Sequence, residues 1–102
     1  MNHEDTDARL RREAAADARV RAALASIEEA QALIGRATQA LASVNGVCAE
    51  YQKLGRLYDQ VHRTWYVVRD KAATVRGRGK LTLDHEPTEH ESEWRPLHGG
   101  RS

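Results

Sequence analysis

The 102-residue chain contains no Phe, one cysteine, two prolines and no long hydrophobic run. The single thiol, Cys48, excludes an internal disulfide and a multi-cysteine zinc site, and it favours a reducing, cytoplasmic setting. No stretch reaches the roughly 20 apolar residues that a membrane-spanning helix needs. The N-terminal residues are acidic and polar, so we expect no secretory signal there. Sixteen Lys and Arg residues nearly balance fifteen Asp and Glu residues, which excludes a polybasic or polyacidic protein.

The usual signs of catalysis are also missing from the sequence. There is no Gly-rich phosphate loop, no nucleophile–base pattern and no pair of carboxylates placed for acid–base work. No two of the five histidines are four residues apart, as a helical metal pair requires. We therefore expect no enzyme, no cofactor and no metal site.

Helix-forming residues fill most of the chain. Ala, Arg, Glu, Gln and Leu are abundant before residue 77, whereas both prolines lie within the last sixteen residues. This composition predicts helix over about 6–76, preceded by a short tail at 1–5. Residues 77–102, which begin with Gly77-Arg78-Gly79, are expected to form an extended or disordered C-terminal tail.

Apolar residues recur every seven positions in both halves of the helical part, which is typical of a coiled coil. In the first half the repeat consists of Val20, Ile27, Ile34 and Leu41, with Ala16, Ala23, Ala30 and Ala37 beside it. In the second half it consists of Leu54, Val61, Val68 and Val75, with Tyr51, Tyr58, Trp65 and Ala72 beside it. We expect the bulky side chains of the second half to pack against the alanines of the first.

The two repeats are out of phase around Asn45-Gly46, where one apolar step is three residues instead of four. Gly is favoured just past a helix end because it adopts the left-handed conformation easily. The slip therefore predicts an antiparallel helical hairpin, with a first helix over about 6–44, a turn at 44–47 and a second helix over about 47–76. One continuous helix, overwound at the slip, is the alternative.

Several apolar residues lie off the predicted seam. A two-helix hairpin has only one internal seam, so we expect two copies to assemble into a four-helix bundle. The sequence favours a small non-enzymatic interaction protein: an adaptor, inhibitor or assembly component of the kind that bacteria and phages use. It would be a homodimer or higher homo-oligomer with a further protein partner. The predicted contact residues are Leu57, Tyr66, Val67, Trp94 and Leu97.

A basic segment supports an alternative function. Residues 69–80 include five cations that could bind phosphates of a nucleic acid: Arg69, Lys71, Arg76, Arg78 and Lys80. The acidic segment 84–93 follows directly and offers these cations an internal counter-charge. No aromatic residues interleave the cations to stack on bases. We therefore keep a nucleic-acid-binding accessory protein as the alternative.

The layout of residues 6–76 resembles the Trp-x-Gly helical-hairpin secretion substrates. Tyr66-Val-Val-Arg-Asp70 fits the Tyr-x-x-x-Asp/Glu pattern near the end of their second helix. Val44-Asn45-Gly46 stands where that family has Trp-x-Gly, so the defining Trp is absent and we carry over no functional residues. The resemblance implies a second alternative, a secreted helical hairpin that works as a heterodimer.

Overall fold

The computed structural model describes residues 3–87, with side chains from Thr6 onward. Two helices, α1 (His3–Leu41) and α2 (Cys48–Gly77), pack against each other, and no strand occurs within this range. Trp65 lies against Leu24 while Arg76 lies against Asp17, so the helices run antiparallel. The predicted all-α hairpin is confirmed, and the continuous-helix alternative is wrong.

The turn between the helices uses two residues in the left-handed region. Ser43 has φ 67° and Gly46 has φ 94°. The Ser43 conformation stops α1 at Leu41, three residues before the expected end. At its other end α1 starts at His3 instead of about residue 6, a difference ordinary for a boundary predicted without its cap geometry.

Gly79 terminates α2 in a Schellman motif. It has φ 70°, its N–H donates to the Arg76 carbonyl at 2.9 Å, and the Lys80 N–H donates to the Val75 carbonyl at 3.0 Å. These bonds satisfy carbonyls that the helix end leaves unpaired. The glycine of Gly77-Arg78-Gly79 that ends the helix is therefore Gly79, and Gly77 is still helical.

After the Schellman motif, residues 80–87 lie along the N-terminal part of α1, and we call them the strap. The Leu83 N–H donates to the Arg12 carbonyl at 3.3 Å. Glu86 accepts from Arg11 Nε at 2.9 Å and from Arg12 Nη1 at 3.4 Å. The strap thus contacts the part of α1 that reaches past the end of α2.

The seam contains one predicted row from each helix over its whole length. The rows containing Leu54 and Ile27 are half-buried along their length. On α1 the alanine row is covered only in part, because Ala16 is buried and Ala30 half-buried but Ala23 and Ala37 are exposed. On α2 the companion row is mixed in the same way, because Tyr51 and Tyr58 are exposed. The half-buried companions on the other side of the Ile27 row are Leu24, Gln31 and Thr38.

The hairpin is a single layer of helices. It measures 67 × 32 × 14 Å along its principal axes, and 14 Å is close to the diameter of one helix, about 10–12 Å. Among residues 6–87 the buried hydrophobic side chains are three alanines, Ala16, Ala22 and Ala72. Over the described residues neither helix has an apolar stretch long enough to cross a membrane.

Candidate interaction surfaces

The seam divides the hairpin into two broad faces, and the polar contacts between helices lie towards one of them. Trp65 Nε1 donates to the Leu24 carbonyl at 3.1 Å and to Glu28 Oε2 at 3.2 Å. His62 Nδ1 lies 2.9 Å from Gln31 Nε2. These contacts link consecutive turns of α2 to α1 and fix the rotation of the two helices about their axes.

We call this side the charged face and define it by Glu28, Asp59, His62, Tyr66 and Arg69. The Tyr66 ring meets the His62 and Trp65 rings edge-on, with centroids 5.1 and 5.0 Å apart. The Arg69 guanidinium lies 4.7 Å from the Tyr66 ring centroid and donates to Asp70 Oδ1 at 2.9 Å. Aromatic residues and Arg are enriched in protein interfaces, so this cluster has the composition of a binding surface.

A groove of about 820 Å³ opens on the same side, nearer the turn. Its lining includes Ala32, Gly35, Gly55, Tyr58 and Asp59. Small residues stand on both helices here, and a Cβ added at Gly35 would lie 3.0 Å from Tyr58 Cε2. The close approach of a large side chain to a small one, expected at the alanine row, therefore occurs at Gly35.

The opposite side, which we call the neutral face, carries no charge along its middle. We define it by Ala30, Leu33, Ala37, Leu57, Gln60 and Thr64. Leu33 and Leu57 are each 41% exposed, and the alanine row that was expected in the seam runs between Leu33 and the seam. Sequence reasoning missed this surface because it assigned those alanines to the hairpin's own packing.

The predicted contact residues do not form one patch. Successive helical residues are about 100° apart, so Tyr66 and Val67 point in different directions. Tyr66, 42% exposed, belongs to the charged face; Leu57 belongs to the neutral face; Val67, 65% exposed, lies on the outer edge of α2. The other two, Trp94 and Leu97, lie outside the described residues. The contact prediction for all five stays a prediction.

The five cations of the basic segment are also spread out. Arg76 Nε donates to Asp17 Oδ1 at 2.9 Å, and Arg69 is held against Asp70 and two aromatic rings. Lys71 lies on the other flank of α2, and Arg78 and Lys80 follow the helix, exposed. The nucleic-acid alternative stays a prediction that the geometry does not strengthen.

The described part of the acidic segment has contacts that the sequence did not suggest. Its Glu86 pairs with Arg11 and Arg12 of α1, more than 70 residues away, instead of with the basic segment. A hydrogen bond from the His85 ring, 2.9 Å away, and one from the backbone lower the pKa of the exposed Asp84 carboxyl. No signal in the sequence pairs a strap carboxylate with those two arginines.

Two further predicted groups can be placed. Cys48, the first residue of α2, is exposed as a free thiol. Within the described residues no three His, Cys, Asp or Glu side chains are grouped to hold a metal ion. Comparisons of the chain with protein-family models, curated proteins and solved structures find no match.

Proposed function

We propose that the chain is a small, non-enzymatic α-helical interaction protein, an adaptor, inhibitor or assembly component, that self-associates and binds a further protein partner. One observation carries the proposal. The hairpin is a 14 Å layer whose buried hydrophobic residues, within the described range, are three alanines, while eight large hydrophobic side chains are exposed. Single exposed apolar residues are ordinary on a protein surface, but a single helical layer has no other core to offset them.

The energetics of a two-helix layer support association. Ordering each residue costs roughly 1–2 kcal/mol of backbone entropy, and burial of apolar area is the main term that offsets this cost. The half-buried leucines and valines of one seam bury less apolar area than a complete core would, so they offset only part of that entropy cost. A second hairpin laid against the first would form a four-helix bundle, in which the same side chains are covered from both sides.

The charged face supports the partner-binding part of the proposal. Its Tyr66 and Arg69 are the residue types that dominate protein interfaces, and the neighbouring groove gives a partner side chain somewhere to insert. The exposed Cys48 thiol fits a reducing compartment, so we propose a cytoplasmic protein.

Sedimentation equilibrium tests self-association directly. We expect the mass of the full chain to rise from monomer towards dimer as its concentration rises from about 1 to about 200 µM, by mass action. The melting temperature should rise over the same range, because association stabilises only the folded state. A monomeric mass and a constant melting temperature throughout would refute self-association.

A further inference from the structure

We infer that the neutral face is the surface on which a second copy of this chain docks, through a two-fold axis that brings the two neutral faces together. The inference rests on the proposed self-association and specifies which of the two broad faces forms the interface. In the resulting bundle the charged faces of both copies point outward.

The first argument is the pattern of charge. On α1 the flank facing this side runs with alternating steps of three and four residues: Ala23, Ser26, Ala30, Leu33, Ala37 and Ala40. On α2 the matching flank has the same spacing: Leu57, Gln60, Thr64 and Val67. Between these ends neither series contains an ionisable residue, although the next positions of the same stripes are Arg19 on α1 and Lys53 and Lys71 on α2. The neutral face is therefore an uncharged centre with cations at its ends. An uncharged centre with a charged rim is the composition of a face that packs against another helical layer.

The second argument is shape. Leu33 and Leu57 are large, exposed side chains, whereas the neighbouring Ala30 and Ala37 are small. In the arrangement that we propose, the two-fold axis sets the leucines of one copy over the alanines of the other. The Thr64 hydroxyl already donates to the Gln60 carbonyl at 2.8 Å, so covering that side chain leaves no unsatisfied donor.

The charged face is a poor surface for a second copy. Covering it would remove Glu28, Asp59 and Arg69 from water, and a two-fold axis does not guarantee each of them an opposite charge. The groove would also have to be filled, because packed interfaces have few voids. The neutral face has no charge along its middle and lines no groove among the described residues, so a second copy that docks on it avoids both costs.

The size of the face sets the expected affinity. The uncharged stripe of α1 is roughly 26 Å long at 1.5 Å per residue, whereas that of α2 is roughly 15 Å long. With each helix roughly 10 Å wide, the face covers about 400 Å² per copy. The total of about 800 Å² is smaller than most specific, stable interfaces and lies in the range of weak ones. We therefore expect a weak dimer, with a dissociation constant in the upper micromolar range.

Two exposed alanines of α1 form a matched test. Ala37 lies on the neutral face and Ala32 lines the groove on the charged side. Neither Ala37→Glu nor Ala32→Glu places a charge in the hairpin seam, and Ala and Glu are both good helix formers. In sedimentation equilibrium of the full chain we expect Ala37→Glu to weaken the dimer at least about 100-fold, because it buries an unpaired carboxylate in the interface. Ala32→Glu should change the dissociation constant less than about threefold.

A second matched pair on α2 repeats the test. Thr64→Glu should weaken the dimer as Ala37→Glu does, whereas Gln52→Glu, on the groove side, should not. Circular dichroism of all four variants should show the helix content of the original chain. A dimer that withstands Ala37→Glu and Thr64→Glu but dissociates with Ala32→Glu or Gln52→Glu would overturn the neutral face and leave self-association standing. An original chain that is monomeric would instead refute the proposed function itself.

Discussion

Trp65 is the side chain that best reports whether the two helices pack as described. It lies half-buried in the seam, and its indole N–H bridges to the Leu24 carbonyl and to Glu28. A packed Trp buries about 150–250 Å², so a half-buried one removes about 100 Å² from water, worth about 2.5 kcal/mol at 25 cal/mol per Å². The hydrogen bond adds about 0.5–1.5 kcal/mol. We expect Trp65→Ala to lower the free energy of unfolding by about 3 kcal/mol.

Trp65→Phe separates the two contributions. It keeps an aromatic ring in the seam and removes the N–H donor. The Leu24 carbonyl keeps its partner within the helix, and the exposed Glu28 is solvated, so the cost should be only about 1 kcal/mol. Tyr66→Ala is the control, because it deletes an aromatic ring one residue away that lies outside the seam. Tyr66→Ala should lower the free energy of unfolding by about 1 kcal/mol or less, mainly because the contacts with the neighbouring rings and with Arg69 are lost.

Urea unfolding followed by circular dichroism measures all three variants, at one fixed protein concentration because the proposed self-association would contribute to stability. We expect Trp65→Ala to lower the free energy of unfolding most, and Trp65→Phe and Tyr66→Ala to lower it less. If Trp65→Ala costs less than about 1 kcal/mol, the ring does not lie in the seam and the rotation of α2 is wrong. If Trp65→Phe lowers the free energy of unfolding as much as Trp65→Ala does, the hydrogen bonds of the indole N–H stabilise the hairpin more than the packing of the ring does.

Two smaller predictions concern backbone positions. Gly55→Ala should stabilise α2 by about 0.5–1 kcal/mol through helix propensity, since an added Cβ meets nothing within 4 Å. Gly35→Ala should stabilise α1 clearly less, because its added Cβ would press on Tyr58. If thermal unfolding shows the same gain in stability for Gly35→Ala and Gly55→Ala, the contact with Tyr58 is absent. Ser43→Gly should stabilise the turn by about 0.5–1 kcal/mol, since it relieves a left-handed conformation costing roughly 1–2 kcal/mol but adds glycine's entropy. Asn45 does not have a positive φ, so Asn45→Gly should not stabilise the protein. A similar gain in stability from Ser43→Gly and Asn45→Gly would contradict the assigned turn.

The fold was predictable wherever burial follows simple apolar spacing. On α2 the 3/4 stripe from Leu54 to Val75 identifies the seam, and the phase slip at Asn45-Gly46 identifies the turn. The residue that ends α1 was not predictable, because Ser rarely adopts the left-handed conformation that Ser43 has, and Gly46 a few positions later is the stronger signal.

The second row of α1 was not predictable from hydrophobicity alone. Alanine counts as apolar and glutamine as polar, so the spacing favours Ala30 over Gln31 for the seam. In the structure Gln31 is half-buried because His62 lies within hydrogen-bonding distance, and Thr38 because its hydroxyl bonds the Ile34 carbonyl. The Gln31–His62 contact joins residues 31 positions apart, and the Thr38 hydroxyl bonds its own helix backbone. A pattern of apolar spacing contains neither contact.

The positions of the two broad faces depend on which row of α1 lies in the seam. An α1 with the alanine row in its seam would be turned by about 50°, half of the 100° step between residues. That turn would separate Gln31 from His62 and Asp17 from Arg76, and would draw Leu24 away from the Trp65 indole.

The polar contacts on one side of the seam therefore hold α1 in a rotation that leaves Ala23 and Ala37 exposed on the other side. In that rotation the polar Gln31 lies half-buried beside the seam. In the bundle that we propose, a second layer would cover these alanines and add close packing, while the seam would keep its directional hydrogen bonds. The rotation of α1 thus accounts for the difference between the two broad faces, and it is why we propose the neutral face as the docking surface.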